Sequence, residues 1–332
     1  MQLHERIELL QQLGPYMMGE DEGWLAAQRK AHAENNWFIP DFIQMAARNT
    51  AQNYLAADAL QQLVQHYNLP DVQAQPKKVG LVLAGNIPLV GFHDVLCVFL
   101  SGHHALIKPS AKDDALIKHL VGKLVEWNGA AAPYLQFAEL LKRCDAYIAT
   151  GGNNTGRYFE YYFRNYPSII RRNRTSVAIL TGHESTEELE RLSDDIHQYF
   201  GLGCRNVTQL YVPREYDFIP LLAAFDKYAD FINHHKYKNN YDYNLAMHIL
   251  NNRYYMSSAA TLLVEEASPF SPISQVHFQY YDQLQDVQEN LQNREDLQCI
   301  VGAGHTPFGQ AQNPQLTDFA DGIDTLKFLN SL

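Results

Sequence analysis

Apolar side chains at Phe42, Met45 and Ala46, then at Leu55, Leu60 and Leu63, recur near helical spacing, and the pattern extends from Leu3 to about Tyr67. Pro40-Asp41 supplies a helix start inside it. Residues 70–78 read as a polar linker, and beyond them the period changes. Short apolar runs at 79–83, 105–107 and 146–149 predict strands, and the stretches 90–100, 115–127 and 155–163 between and after them predict helices. This alternation predicts βαβ units on a parallel sheet. The fold class expected is therefore α/β, beginning with a doubly wound, dinucleotide-binding layout.

A further strand at 177–180 ends in Thr181-Gly182, and Ser185 with Glu188 forms a capping box for the next helix. The domain change is placed there. Residues 1–181 comprise a helical N-terminus and a dinucleotide-binding domain, and residues 182–302 a cysteine-bearing domain. Residues 303–332 form a C-terminal segment that returns to the first domain or meets an oligomer partner. The second half predicts a helix to Phe200, a glycine-rich turn around Cys204, a strand at 209–212 and helices to about Arg253. Strands near 260–264 and 276–280, a helix over 281–292 and strands at 299–301 and 325–328 complete it. The Tyr/Asn/His-rich stretch from His234 to Asn244 reads as a polar surface loop, with an aromatic substrate platform as the alternative.

Composition narrows the classes. A chain of 332 residues, 46% hydrophobic and 19% charged, can bury two ordinary cores. Its apolar runs stop well short of the ~20 residues of a membrane span. The N-terminus lacks the basic start and apolar run of a secretory signal, so a cytoplasmic location is expected. A net charge of −11 argues against nucleic acid as a partner. The one basic patch, Arg171, Arg172 and Arg174, is either paired locally or meets a phosphate-bearing ligand.

Four cysteines, Cys97, Cys144, Cys204 and Cys299, contain no CxxC pair, so neither a zinc knuckle nor a disulfide framework is suggested. The histidines have no metal-ligand pattern and no metal is expected, since the adjacent pairs His103-His104 and His234-His235 point in different directions. His93 and His305 are candidates for proton transfer or, equally, packing and surface residues.

Four segments can carry chemistry. Gly85-Asn86-Ile87-Pro88-Leu89 follows a predicted strand, where ligands of open α/β sheets bind, and the Asn86 amide could donate to a developing oxyanion. A second strand ends in Lys108-Pro109-Ser110, and a third in Thr150-Gly151-Gly152-Asn153 at a helix start, where free N–H groups suit a phosphate or nicotinamide. Each has a plain-turn or surface reading beside the functional one, and none is a GxGxxG fingerprint. Cys204 lies in Gly201-Leu202-Gly203-Cys204-Arg205-Asn206, where glycines allow close approach of a ligand and Arg205 could favour a thiolate.

In order and spacing these segments resemble the aldehyde dehydrogenase superfamily. GNIPL is similar to the strand-end motif with an oxyanion-hole asparagine, ALIKPS to the lysine-proline strand that holds the adenosine ribose, and ATGGNNTG to the F-T-G-S loop at the nicotinamide. GLGCRNVTQLYVP is similar to the segment with the catalytic cysteine. Length and the GxGC pattern look most similar to the LuxC family of fatty-acyl-CoA reductases. The resemblance covers about residues 77–213 and is fainter beyond. It implies two doubly wound αβα domains, with the dinucleotide on the N-terminal one. It implies Cys204 and Asn86 as catalytic residues, and Gly85, Lys108, Ser110, Thr150, Gly151, Gly152 and Asn153 as dinucleotide contacts.

The implied reaction is reduction of an acyl thioester by NADPH, or by NADH, through an S-acyl cysteine. The donor is acyl-CoA or an acyl-protein, and a homo-oligomer with an acyltransferase partner is expected. Two departures matter. Residues 170–176 hold no counterpart of the E-L-G-G glutamate that activates the deacylating water, and Ser268 stands at the acidic position of the E-x-F-G-P motif, with Glu265 and Glu266 close by. A hydrolytic aldehyde dehydrogenase and a non-catalytic binding protein of this fold are the alternatives.

Overall fold

The computed structural model describes residues 1–292 and 294–332, and the chain divides after Asn173 and after Asn313 into two units. The first unit begins with four helices, α1 (Leu3–Met18), α2 (Glu22–Glu34), α3 (Pro40–Asn49) and α4 (Ala57–Tyr67), with a π-helical turn at Thr50–Tyr54 between the last two. Their starts are chemically marked. Asp21 accepts the Gly23 and Trp24 N–H groups ahead of α2, and Pro40 opens α3, where its missing N–H costs nothing.

A five-stranded sheet follows, with β1 (Lys78–Val82), β2 (His104–Lys108), β3 (Leu135–Phe137), β4 (Ala146–Thr150) and β5 (Ser168–Arg171). Helices α5 (Phe92–Ser101), α6 (Asp114–Trp127) and α7 (Asn153–Phe163) connect them. All pairs are parallel and the order is β3-β2-β1-β4-β5, the doubly wound arrangement expected. Buried runs such as Val79 to Leu81 and Ala146 to Ala149 explain it: strands covered on both faces read as continuous apolar stretches.

Among its described residues the second unit holds six strands in the order β11-β6-β7-β10-β9-β8. These are β6 (Thr175–Ile179), β7 (Val207–Pro213), β8 (Met256–Ser257), β9 (Leu262–Glu265), β10 (Gln275–Tyr281) and β11 (Leu297–Val301), with only β8 antiparallel to its neighbour. Helix α8 (Thr186–His197) starts at the capping box Ser185–Glu188, and α9 (Phe218–Phe225), α10 (His235–Leu250) and α11 (Leu284–Leu291) follow. Alternate residues of the strands feed opposite faces. Ala178, Leu210, Val212 and Phe278 pack with Leu189 and Leu192 of α8, while Val177, Ile179 and Tyr211 pack with Val287 and Leu291 of α11.

The last segment returns to the first unit and ends in α12 (Thr325–Asn330), which packs on α5. Three expectations are corrected here. Residues 325–328 are helix rather than strand, because Asp324 accepts the Lys327 N–H at 2.8 Å and caps a turn. The stretch from His234 to Asn244 is the start of α10, capped by the His234 side chain, rather than a loop. The strand expected at 177–180 pairs with β7 and β11, so the change of unit falls after Asn173 rather than after Thr181.

Candidate active site

The first unit brings three of the four segments to one sheet edge. Strands β2, β1 and β4 lie side by side and parallel, so Asn86, Lys108 and Thr150 all stand at or just beyond their C-terminal ends. The Leu83 N–H donates to the Lys108 carbonyl at 3.1 Å, carrying the ladder into the loop. At Gly85 the approach is closest, since a Cβ there would lie 2.5 Å from the Ser110 Cβ and Oγ. Only glycine fits. Asn86, Ser110, Thr150, Gly151 and Gly152 are half-buried, whereas Lys108, Ala111, Lys112 and Asn153 are exposed. Gly151 donates its N–H to the Arg171 carbonyl at 3.2 Å, and the Asn153 Oδ1 accepts the Asn173 N–H at 3.3 Å.

Asp113, the first carboxylate after Lys108 in the chain, turns inward. It is 1% exposed, and its Oδ2 accepts the Leu89 N–H at 2.7 Å, holding that residue at φ 61°. Its Oδ1 is buried with no hydrogen-bond partner, and burial pushes the carboxyl well above the usual range. The next carboxylate, Asp114, pairs with Lys118 at 2.8 Å.

The arginine patch is paired locally. Arg171 is buried against Asp94 at 2.6 Å and the Thr325 hydroxyl at 2.8 Å, Arg172 pairs with Glu160, and Arg174 donates to the Leu297 carbonyl at 3.0 Å. His93 donates through Nε2 to the Leu316 carbonyl at 2.9 Å and packs against Tyr54 and Phe319, while His305 is exposed in a turn.

The second unit carries the cysteine. Cys97, Cys144 and Cys299 are buried and Cys204 is half-buried, so it is the accessible thiol of the four. Burial raises the Cys97 and Cys144 thiols above their ordinary range, which keeps them protonated and unreactive. Ahead of Cys204 the chain makes an unusual reversal. After α8, Tyr199 (φ 55°), Phe200 (φ 57°) and Gly201 (φ 72°) are all left-handed, a conformation that costs a non-glycine residue about 1–2 kcal/mol.

Two side chains clamp the segment from Gly203 to Asn206. Asn206 is fully buried. Its Oδ1 accepts the Gly203 N–H at 2.7 Å, and its Nδ2 donates to the carbonyls of Gln198 (2.8 Å), Asp195 (3.1 Å) and Ile196 (3.2 Å). Ser176 donates its hydroxyl to the Cys204 carbonyl at 3.0 Å. Neither was singled out from sequence. The available signal was a lone asparagine two residues past the cysteine, at the mouth of an apolar strand.

Segment 266–269 is equally fixed. Gln209 donates to the Glu266 (3.0 Å) and Ala267 (3.3 Å) carbonyls, His277 to that of Ser268 (2.6 Å) and Thr208 to that of Pro269. The Ser268 and Phe270 side chains face outward. Glu266 is engaged by Arg253 at 2.9 Å, a hydrogen bond that holds its carboxyl below the ordinary range, and Glu265 is exposed.

Among the described residues no group of histidine, cysteine or carboxylate side chains could hold a metal, and no helix is long and apolar enough to cross a membrane. No family model matches the sequence, and no curated protein matches it. Solved structures do. Aldehyde dehydrogenase 21 from Physcomitrella patens, solved with succinate, superposes with a TM-score of 0.67 at 12% identity over 91% of this chain and 74% of that one. Succinic semialdehyde dehydrogenase from Streptococcus pyogenes, solved with NADP+, gives 0.67 at 11% identity over 90% and 76%. An aldehyde dehydrogenase from Bacillus cereus, solved with NAD+, gives 0.63 at 15% over 89% and 70%. The chain has the aldehyde dehydrogenase fold. Within that fold the three loops at the sheet edge belong to the first αβα unit and the Cys204 turn to the second.

Proposed function

We propose that the chain is an NAD(P)H-dependent reductase of acyl thioesters, with Cys204 as the residue that carries the acyl group. The observation behind this reading is the placement of Cys204: the accessible thiol of four, on a clamped turn entering β7, in an aldehyde dehydrogenase fold. The Cys204 thiolate attacks the acyl carbon of acyl-CoA or of an acyl-protein thioester, forming a new C–S bond while the carbonyl pair moves to oxygen. The Cys204 N–H stabilises that oxyanion, a role the family resemblance also implies for the Asn86 amide, and the oxyanion collapses and expels the leaving thiolate. When bound, the reduced nicotinamide supplies the hydride that takes the S-acyl group to the aldehyde level. Return of the C–S pair to Cys204 then releases the aldehyde.

For the dinucleotide, the support lies at the first unit's sheet edge. Small residues line it, Gly85 lets the Ser110 loop pack directly against the end of β1, and Lys108 offers an exposed cation. Lys108 and Ser110 hold the adenosine ribose or its phosphate, and Thr150, Gly151, Gly152 and Asn153 meet the nicotinamide end. NADPH is the favoured donor because Ala111 leaves no carboxylate there, Lys112 adds a second cation, and Asp113 faces Leu89 instead of solvent.

No glutamate occurs in residues 170–176 to activate water, so the acyl-enzyme should outlive its formation when reductant is absent. Incubation with lauroyl-CoA alone, followed by peptide mass spectrometry, tests the reading. The expected result is a persistent lauroyl adduct on Cys204. Rapid release of free fatty acid would point instead to a hydrolytic aldehyde dehydrogenase, and no adduct at all would leave a binding protein of this fold.

A further inference from the structure

We infer that Asn206 is the positioning residue of the nucleophile: its amide locks a left-handed turn that delivers Cys204. The argument starts from the backbone. Three consecutive residues, Tyr199, Phe200 and Gly201, have positive φ; the Leu202 N–H closes the turn on the Tyr199 carbonyl at 3.1 Å and Gly201 tolerates the region, but Tyr199 and Phe200 are bulky, buried and strained there. Such a turn persists only where its surroundings fix both of its ends.

Asn206 does this with one side chain. Before the turn its Nδ2 reaches the carbonyls of Asp195, Ile196 and Gln198, and after the turn its Oδ1 takes the Gly203 N–H, so the amide spans the reversal from one side to the other. Its orientation is unambiguous, because the oxygen meets the one donor and the nitrogen meets only acceptors. The Phe200 ring supplies the second constraint, with centroids 4.5 Å from Phe231, 4.5 Å from His234 and 5.8 Å from Tyr237. Gly203 and Asn206 are buried and Cys204 between them is half-exposed, so the lock ends one residue before the thiol. If the turn relaxed to ordinary right-handed geometry, the chain would leave α8 in another direction and Cys204 with it.

This inference rests on Cys204 being the acylated residue, and it deepens that reading by naming what places the thiol. The role separates from plain stability because strain is specific to residue type: glycine adopts a positive φ freely, whereas tyrosine does not. The test uses the full chain as parent, Asn206→Ala, Tyr199→Gly, and the double variant. Three quantities are read: hydrogen exchange of the peptide covering residues 199–205, the single-turnover rate of Cys204 acylation by lauroyl-CoA, and the KM for NADPH.

In Asn206→Ala the 199–205 peptide should exchange at least tenfold faster while the β7 peptide changes less than threefold. Acylation should fall at least tenfold, with the KM for NADPH within twofold of the parent. Adding Tyr199→Gly should recover at least threefold in both readouts. Parental exchange in Asn206→Ala, or no recovery with glycine, overturns the lock. If Asn206→Ala does not fold, the parent decides: the Gly203 amide must be as protected as those of β7, and fast exchange there overturns the inference. A parent that is never acylated sinks the thioester reading instead, and the exchange data still settle the lock.

Discussion

Burial separates the four cysteines by reactivity before any substrate is considered. A thiol must ionise to attack, and the Cys97 and Cys144 thiols are raised by the loss of solvent, while Cys299 is buried on β11 with its sulfur against the Thr306 hydroxyl. Cys204→Ser should therefore fold and lose turnover by about 10³-fold or more, since a serine hydroxyl ionises far less readily than a thiol. Cys97→Ser, Cys144→Ser and Cys299→Ser should keep the chemistry, and an acyl adduct on any of those three in the parent protein would move the site.

On the proposed reading, the choice of nicotinamide also turns on single side chains. A carboxylate near the adenosine ribose would repel a 2′-phosphate, and the two nearest ones are occupied elsewhere, Asp113 with Leu89 and Asp114 with Lys118. The value of kcat/KM should favour NADPH. Equal values would reduce Lys108 and Lys112 to tolerance of either donor, and a clear advantage for NADH would overturn the assignment.

At the scale of elements, the sequence was most legible where packing enforces one period. The buried strands β1, β4 and β7 and the capping box of α8 stand where the apolar runs and Ser185 placed them, to within a few residues. Legibility failed where a short element is set by its neighbours. The alternation at 325–328 imitates a strand, but Leu326 and Leu329 are buried three residues apart on α5, and Asp324 fixes the helical turn. The edge strands β3 and β5, of three and four residues, have too few apolar positions to announce themselves.

The site followed the same division. Glycines and an exposed cation at strand ends were visible in the sequence, whereas Ser176 and Asp113 act on backbone groups 28 and 24 residues away, and Asn206 bonds back across a chain reversal that no apolar period announces. Asp324 caps α12 and also accepts the Tyr67 hydroxyl at 2.8 Å, so the cap is read against Tyr67→Phe. Asp324→Ala should cost about 1 kcal/mol more than Tyr67→Phe in denaturant unfolding, whereas equal costs would mean that packing on α5 holds the helix without its cap.

At the scale of the whole molecule, two buried groups in the last turn of α8 contribute with opposite signs to the response of stability to acid. His197 is buried between Ser193 and Thr261, and burial lowers its pKa from 6.5 to about 4. Between those values the unfolded chain binds more protons than the folded one, so this histidine withdraws stability as pH falls from 6.5 towards 4. Asp195 has the opposite sign. Burial raises its carboxyl from 3.8 to about 7, against the opposing hydrogen bonds from the Gly309 and Ala311 N–H groups.

Between pH 4 and 7 the folded state binds the extra proton on Asp195, so acidification adds stability over the window in which His197 removes it. At about 1.4 kcal/mol per pKa unit, the contributions are roughly 3–4 kcal/mol for His197 and roughly 4–5 kcal/mol for Asp195, and they largely cancel. The parent protein should therefore show a shallow profile from these two residues. Asp195→Asn leaves the histidine unopposed. Whatever its absolute stability, its unfolding free energy should fall more steeply than the parent's between pH 6.5 and 4.5, by about 2–3 kcal/mol over that interval. Denaturant midpoints across the interval measure the slope directly. Parallel curves for the two proteins would show that Asp195 is already ionised in the fold, with its two backbone donors outweighing its burial.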